Sequence, residues 1–110
     1  MKNFYTSVVE LRQRFDAAVE THPYECGWAD EAIFFVETHD FSPGSRLTLR
    51  VQLSPDGIRW LDEGSELDIT CTGFIRVKHF GGFLRMAGRA VDTEGRPVPV
   101  TVSVRLALKG

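Results

Sequence analysis

The feature that most constrains this chain is a period of two. In Arg46–Ser54, RLTLRVQLS, the apolar residues Leu47, Leu49, Val51 and Leu53 alternate with polar ones. Successive side chains of an extended strand point to opposite faces, so this pattern specifies a strand with one face on a core. Its other face meets solvent or a partner. The stretch Val98–Leu108, VPVTVSVRLAL, repeats the pattern on Val98, Val100, Val102, Val104, Leu106 and Leu108. Pro99 has no N–H to give to a ladder, which predicts a strand start or an edge position there.

Shorter alternations lie between these two. Leu67, Ile69 and Cys71 share one face, as do Ile75, Val77 and His79, and Leu84, Met86 and Ala90, with a bulge expected at Gly88. Ala32–His39, AIFFVETH, is apolar on both faces at first and reads as a central strand emerging toward solvent. Turn signals fall at Ser42-Pro-Gly44, Ser54-Pro-Asp-Gly57, Glu63-Gly64, Thr72-Gly73, Gly81-Gly82 and Glu94-Gly95. Strands punctuated this often predict an all-β antiparallel sandwich, jelly-roll-like, of about eight strands. The first 25 residues admit two readings. Val8, Leu11, Phe15 and Ala18 have helical spacing and allow a short helix, while Tyr5–Leu11 and Phe15–Thr21 fit two strands, the simpler choice beside two sheets.

At 110 residues, 43% of them hydrophobic, the chain is expected to form a single domain, 1–110, with its own core. A net charge of -2 argues against nucleic acid as a partner. Residues 1–45 carry three basic and eight acidic side chains, and 46–110 carry ten and seven, an asymmetry that suits contact between like subunits. MKNFYTSVVELRQRF has no continuous apolar region of the signal-peptide kind, and no run is long enough to span a membrane. Cys26 and Cys71, with 44 residues between them, match no metal or redox spacing and are expected as free thiols, Cys71 buried beside Leu67 and Ile69. The expected location is the cytoplasm.

Residues able to carry chemistry are few. Glu37 and His39 share a strand face, which permits an acid–base or metal pair, but no third ligand is placed beside them. No nucleophile elbow occurs, and Gly81-Gly82 lies between strands rather than before a helix, so no phosphate cradle is expected. Asp62, Glu63, Glu66 and Asp68 lack calcium-loop spacing and read as a solvated connection. Hence no catalytic residue, metal site or cofactor is expected. Two surface features remain. Arg46, Arg50, Arg76, Arg85, Arg89 and Arg105, with Lys78, fall opposite the inferred core and form a candidate interface. Trp28, Trp60, Phe80 and Phe83 form a candidate ligand-facing aromatic set, whose alternative role is to plug the end of the core.

The segment Leu47–Trp60, a strand followed by S-P-D-G-x-x-W, resembles small β-sandwich domains of phage virion proteins and related bacterial proteins. There, later strands like Phe74–His79 and Phe83–Arg89 precede a Val/Thr-rich terminal strand like Val98–Leu108. The same S-x-D-G-x-x-W turn is similar to one in discoidin-type domains, which bind glycans or lipid head groups. The first resemblance implies a non-enzymatic structural or assembly subunit that forms homo-oligomers, located in a virion if the chain is phage-derived. The second implies a small module binding a carbohydrate or a protein surface ligand. Neither transfers a functional residue.

Within LSPDGIRW itself, Pro55 fixes φ, Gly57 takes a φ > 0 position, and Ile58 and Trp60 share a face of the next strand, with Trp60 anchored on the core. Gly57→Val should therefore lower stability by about 1–2 kcal/mol, the left-handed penalty for an L-residue. Thermal melting of the variant checks this.

Overall fold

A computed structural model describes residues 4–79 and 82–110. It has nine strands, β1 (Phe4–Phe15), β2 (Ala18–Glu20), β3 (Tyr24–Glu25), β4 (Glu31–His39), β5 (Arg46–Ser54), β6 (Leu61–Ile69), β7 (Thr72–Val77), β8 (Phe83–Val91) and β9 (Val100–Lys109). The described residues contain no helix. Antiparallel pairing is nested: β5 with β6, β4 with β7, β2 with β8, and β1 with β9. A long hairpin folded in this way and rolled on itself gains two further pairings, β5 with β8 and β4 with β9. The result is two packed sheets, ordered β1-β9-β4-β7 and β2-β8-β5-β6, with β3 added beside β8. This is the jelly-roll order.

The core is the inward half of the two alternating runs. Val100, Val102, Val104, Leu106 and Leu108 of β9 face Leu47, Leu49 and Val51 of β5, and all are essentially inaccessible. Phe34 and Val36 of β4, with Leu84 and Met86 of β8, complete it. Each such side chain contributes about 1.5–3 kcal/mol by leaving water, against a large entropic cost of ordering the chain. Val98 donates its N–H to Ala90 on the five-stranded sheet, and by Val100 the chain belongs to the other sheet. Pro99 therefore sits at the crossing, and β9 begins just after it as the missing N–H requires.

Several local expectations give way. The N-terminal alternatives resolve into one 12-residue strand and two short ones. The helical spacing arises because β1 is bulged between Val8 and Gln13, with Arg12 at φ 48°, so its two-residue period slips. The register of β8 against β5 runs without a break through Gly88, so no bulge lies there. Instead a Cβ on Gly88 would meet the Thr48 carbonyl oxygen at 1.9 Å; the glycine is needed for close backbone approach. The acidic run is not a connection but β6, paired along β5. Glu63-Gly64 is an irregularity within that strand, with Gly64 at φ 108°.

The turn expected at Thr72-Gly73 lies earlier, at Thr70 and Cys71, where the chain passes from one sheet to the other. Cys71 is consequently exposed, not buried, because β6 ends at Ile69 and the apolar alternation stops with it. Cys26 is the buried thiol, and burial, with Glu25 nearby, pushes it up to about 11, so it stays protonated at neutral pH.

The LSPDGIRW stretch is a wider loop than a tight hairpin, since Leu53 pairs with Leu61. Gly57 has φ 80°, as expected. Ile58 is exposed, however, and Trp60 packs on the outer side of the sheet over Arg85, 4.2 Å from its guanidinium carbon, not on the core. The loop satisfies itself. Asp56 Oδ1 accepts the N–H groups of Ile58 and Arg59 at 2.8 and 3.0 Å, and Ser54 Oγ accepts that of Gly57 at 2.8 Å. The Arg59 N–H, then that of Ile58 and the Ser54 hydroxyl, which donates to Asp56 Oδ1 at 3.0 Å, hold the Asp56 carboxyl below its ordinary pKa.

Gly88→Ala should cost about 3 kcal/mol, the upper end of the overpacking range, because the obstacle is backbone. Urea unfolding should show a lowered midpoint with an unchanged slope.

Candidate functional site

Because the inner faces form the core, function falls to the outer faces, the edges and the loops. The two outer faces differ. On the five-stranded sheet, charges from neighbouring strands meet in pairs. Arg46 reaches Asp68 at 3.0 Å, Arg50 reaches Asp62 at 3.1 Å, and Arg85 reaches Glu20 at 2.8 Å. Gln52 joins two of these, donating to Asp62 at 3.1 Å and accepting from Arg85 at 2.8 Å. Asp62 is held below its ordinary pKa, chiefly by Gln52 and then by Arg50, against the opposing effect of burial. Asp62 and Asp68 of β6 are thus the cross-strand partners of Arg50 and Arg46.

The outer face of the four-stranded sheet is different. Its central row is Val8, Arg105, Phe35 and Phe74, side by side across β1, β9, β4 and β7. Phe74 is 64% exposed, Val8 53% and Phe35 44%. The two phenylalanine rings lie 6.1 Å apart, tilted by 37°. The next row is Thr6, Ala107, Ile33 and Arg76, and a shallow groove of about 580 Å³ runs along it. On the other side of the phenylalanines, Ser103, Glu37 and Thr72 form a row.

The arginines singled out in the sequence are therefore not one surface. Arg46, Arg50, Arg85 and Arg89 lie on one sheet, and Arg76 and Arg105 on the other, facing away from them. Among the described residues, Arg89 and Arg105 carry no ion pair, whereas Arg76 lies 3.7 Å from Glu31. The aromatic set is also dispersed. Trp60 lies over Arg85, Phe83 lies under the loop beside Gly57, and Trp28 is half-exposed beside Gly110. Phe80 falls outside the described residues. The exposed Phe35–Phe74 pair has no signature in the sequence, because AIFFVETH reads as apolar on both sides and therefore as covered on both.

Glu37 and His39 do share a face, with Glu37 Oε1 3.7 Å from His39 Nδ1, and the opposite ring nitrogen lies 2.9 Å from Ser103 Oγ. Serine, histidine and carboxylate stand in the order of a nucleophilic triad. Ser103 is only 3% exposed, however, and its Oγ already accepts the Arg12 N–H at 3.0 Å. A nucleophile needs space for the carbon it attacks. Here the three side chains tie the β1 bulge to β9 and β4. Among the described residues, no group of three or more His, Cys, Asp or Glu is placed to hold a metal.

Two buried glutamates bridge the open sides of the sandwich. Glu10 on β1 accepts the His22 N–H at 3.0 Å and lies 2.5 Å from His22 Nδ1. Glu63 on β6 accepts the Lys78 N–H at 3.1 Å and lies 3.1 Å from His79 Nδ1. Each carboxylate sits at the irregularity of its own strand and reaches across to a segment that follows the other sheet's course. Burial is the largest influence on Glu63 and raises its pKa. Its hydrogen bonds from Ser65, His79 and Lys78 together outweigh it and hold the carboxyl below the ordinary 4.5.

No family model and no curated protein matches this chain. Solved structures do. The SPBc2 prophage-derived protein YomS superposes with a TM-score of 0.68 at 11% identity, over 100% of this chain and 96% of that one. VP2 of the infectious bursal disease virus subviral particle gives 0.61 at 10% identity, over 98% of this chain and 32% of that one. The PBSX exported protein XepA gives 0.53 at 5% identity, over 98% and 36%. The likeness is one of fold. It extends over the whole chain, agrees with the phage-like sandwich that the turn suggested, and covers about a third of VP2 and of XepA.

A group whose folded pKa is depressed stabilises the fold above its unfolded pKa, and that stability is lost as pH falls through the folded value. Glu63→Gln should therefore lower stability at neutral pH by about 1–3 kcal/mol. It should also lose less than the parent between about pH 5 and pH 2. Urea midpoints across that range check both.

Proposed function

We propose that this protein is a non-enzymatic structural subunit that assembles with copies of itself through its sandwich surfaces. The observation that carries this reading is the jelly-roll strand order, which spans the chain and superposes on a prophage-derived protein and on the VP2 of a subviral particle. A rolled sandwich of this kind offers broad, rigid sheet faces, and these suit repeated contact between like copies. The covered position of Ser103 is consistent with the absence of a hydrolytic role. Free Cys26 and Cys71 accord with a cytoplasmic or virion-associated protein.

The alternative, a carbohydrate- or surface-ligand-binding module, has less support. A sugar platform needs an aromatic ring with a free face beside convergent polar groups. Trp60 gives one face to Arg85, and Phe83 lies against the loop.

Sedimentation velocity from about 5 to about 200 µM should show a weight-average mass that rises with concentration, as micromolar self-affinity requires. A constant monomer mass over that range would exclude the proposal. Glycan-dependent binding lost in Trp60→Ala would favour the alternative.

A further inference from the structure

We infer that the groove between the edges of the two sheets, lined by Tyr5, Tyr24, Glu25 and Trp28, binds a quaternary ammonium group. This goes beyond the self-assembly reading and does not rest on it.

The parts of the groove come from separate segments. Tyr5 lies in β1 opposite the buried Leu108, so its side chain takes the inner side of the four-stranded sheet. Since β1 is an edge strand, the ring reaches past the core toward the edge of the other sheet. There β3 pairs with Phe83 and Leu84 of β8 and carries Tyr24 and Glu25. The two tyrosine hydroxyls hydrogen-bond to each other, and this bond is the largest influence raising the pKa of Tyr5, which stays a neutral phenol. Pro23 and Trp28 complete a groove of about 490 Å³, within the roughly 300–1,000 Å³ of small-molecule sites. Tyr5 is 52% exposed and Trp28 46%, although Gly110 backs the indole so closely that a Cβ there would meet Cε3 at 2.8 Å.

The chemistry of the lining selects the ligand. Tyr5, Tyr24 and Trp28 are electron-rich rings, whose faces attract a cation. Glu25 adds a carboxylate that has no ion-pair partner among the described residues. Its Oε1 accepts the Gly27 N–H at 2.9 Å, which holds the group in place. The charge is felt at Cys26, where it adds to burial in raising the thiol pKa. No Lys or Arg lines the groove among the described residues. Aromatic and anionic walls without a cation of their own fit a positively charged guest.

The hydrogen bonding narrows the kind of cation. A primary ammonium or a guanidinium brings several N–H donors, and each needs an acceptor once water is displaced. Here one Glu25 oxygen is engaged and the tyrosine hydroxyls are turned to each other. A sugar meets the same shortage, since it needs convergent donors and acceptors. A quaternary ammonium has no N–H to satisfy. Its charge is spread over methyl groups, which pack on ring faces while the carboxylate balances the charge.

The test is isothermal titration calorimetry of the full chain with choline chloride, against sodium chloride of equal strength. A dissociation constant of about 1 mM is expected, as a few weak cation–π contacts give. The neutral isostere 3,3-dimethyl-1-butanol should bind at least about tenfold more weakly, because it keeps the shape and loses the charge. Glu25→Gln, Tyr5→Leu and Trp28→Ala should each weaken choline binding by about fivefold or more, with circular dichroism and melting temperature checked first. Tyr5→Leu and Glu25→Gln carry the test if Trp28→Ala does not fold. Trp60→Ala, whose ring is committed to Arg85, should leave choline binding unchanged. Cosedimentation with phosphatidylcholine vesicles identifies the source. Vesicle binding displaced by choline places the group on a lipid headgroup, and free choline bound without vesicle binding places it on a small solute. Equal affinity for the alcohol, or no heat of binding up to about 50 mM choline, overturns the inference. So does choline binding that Glu25→Gln and Tyr5→Leu leave unchanged.

Discussion

Everything in this sandwich depends on β9 lying between β1 and β4. Its inward residues, Val100 to Leu108, fill the middle of the core, and its backbone supplies the ladder for a strand on either side. Removing it would leave β1 with no strand to pair with among the described residues and would open the apolar inner face of β4. The alternation in VTVSVRLALK is therefore more than a strand signal. It specifies a strand buried on one face for its full length, and such a strand belongs in the interior of a sheet, where both its neighbours extend the shared hydrophobic surface.

The outer surfaces answer to a different requirement. A sheet face that must stay in water needs its charges balanced and its apolar area small. The five-stranded face meets that condition, Arg89 apart, through short cross-strand links between β5, β6, β8 and β2. The four-stranded face keeps aromatic and branched side chains in adjoining rows. The buried carboxylates at the two open sides act at a third location. Glu10 and Glu63 join segments of opposite sheets, and each uses a backbone N–H that would otherwise be unpaired near the core. The sandwich is held by apolar packing through its middle and by charge-assisted hydrogen bonds along its sides.

Much of the fold was legible because period-two patterns are local. Arg46–Ser54 reads as β5 to the residue, and the all-β sandwich follows from the number of such runs and the turns between them. What escaped was non-local. Cys71 continues the alternation of Leu67 and Ile69 in sequence, yet the chain has already turned. Asp62, Glu66 and Asp68 resemble a loop until β5 supplies arginines opposite them. Ser103 meets His39 only through the β4–β9 register, which no spacing in the sequence encodes. The candidate surface was half legible. The alternation places the arginines outward, but outward is two opposite directions, one for each sheet. Phe35 and Phe74, on strands separated by the whole of β5 and β6, gave no local sign of forming a pair.

The hydrogen bond from Arg12 to Ser103 spans 91 positions of chain, and with it comes a consequence for the order of folding. Pairings such as β5 with β6 close short loops and form early, whereas β1 must wait for the most distant strand in the fold. During that interval the edge of β4 that β9 will cover is an open slot for one strand. Any copy of β9 fits it equally well, including one belonging to another molecule folding nearby. At high local concentration the same slot that completes a monomer therefore becomes an entry point for strand exchange, and folding yield should depend on how quickly residues 100–109 reach their own sheet.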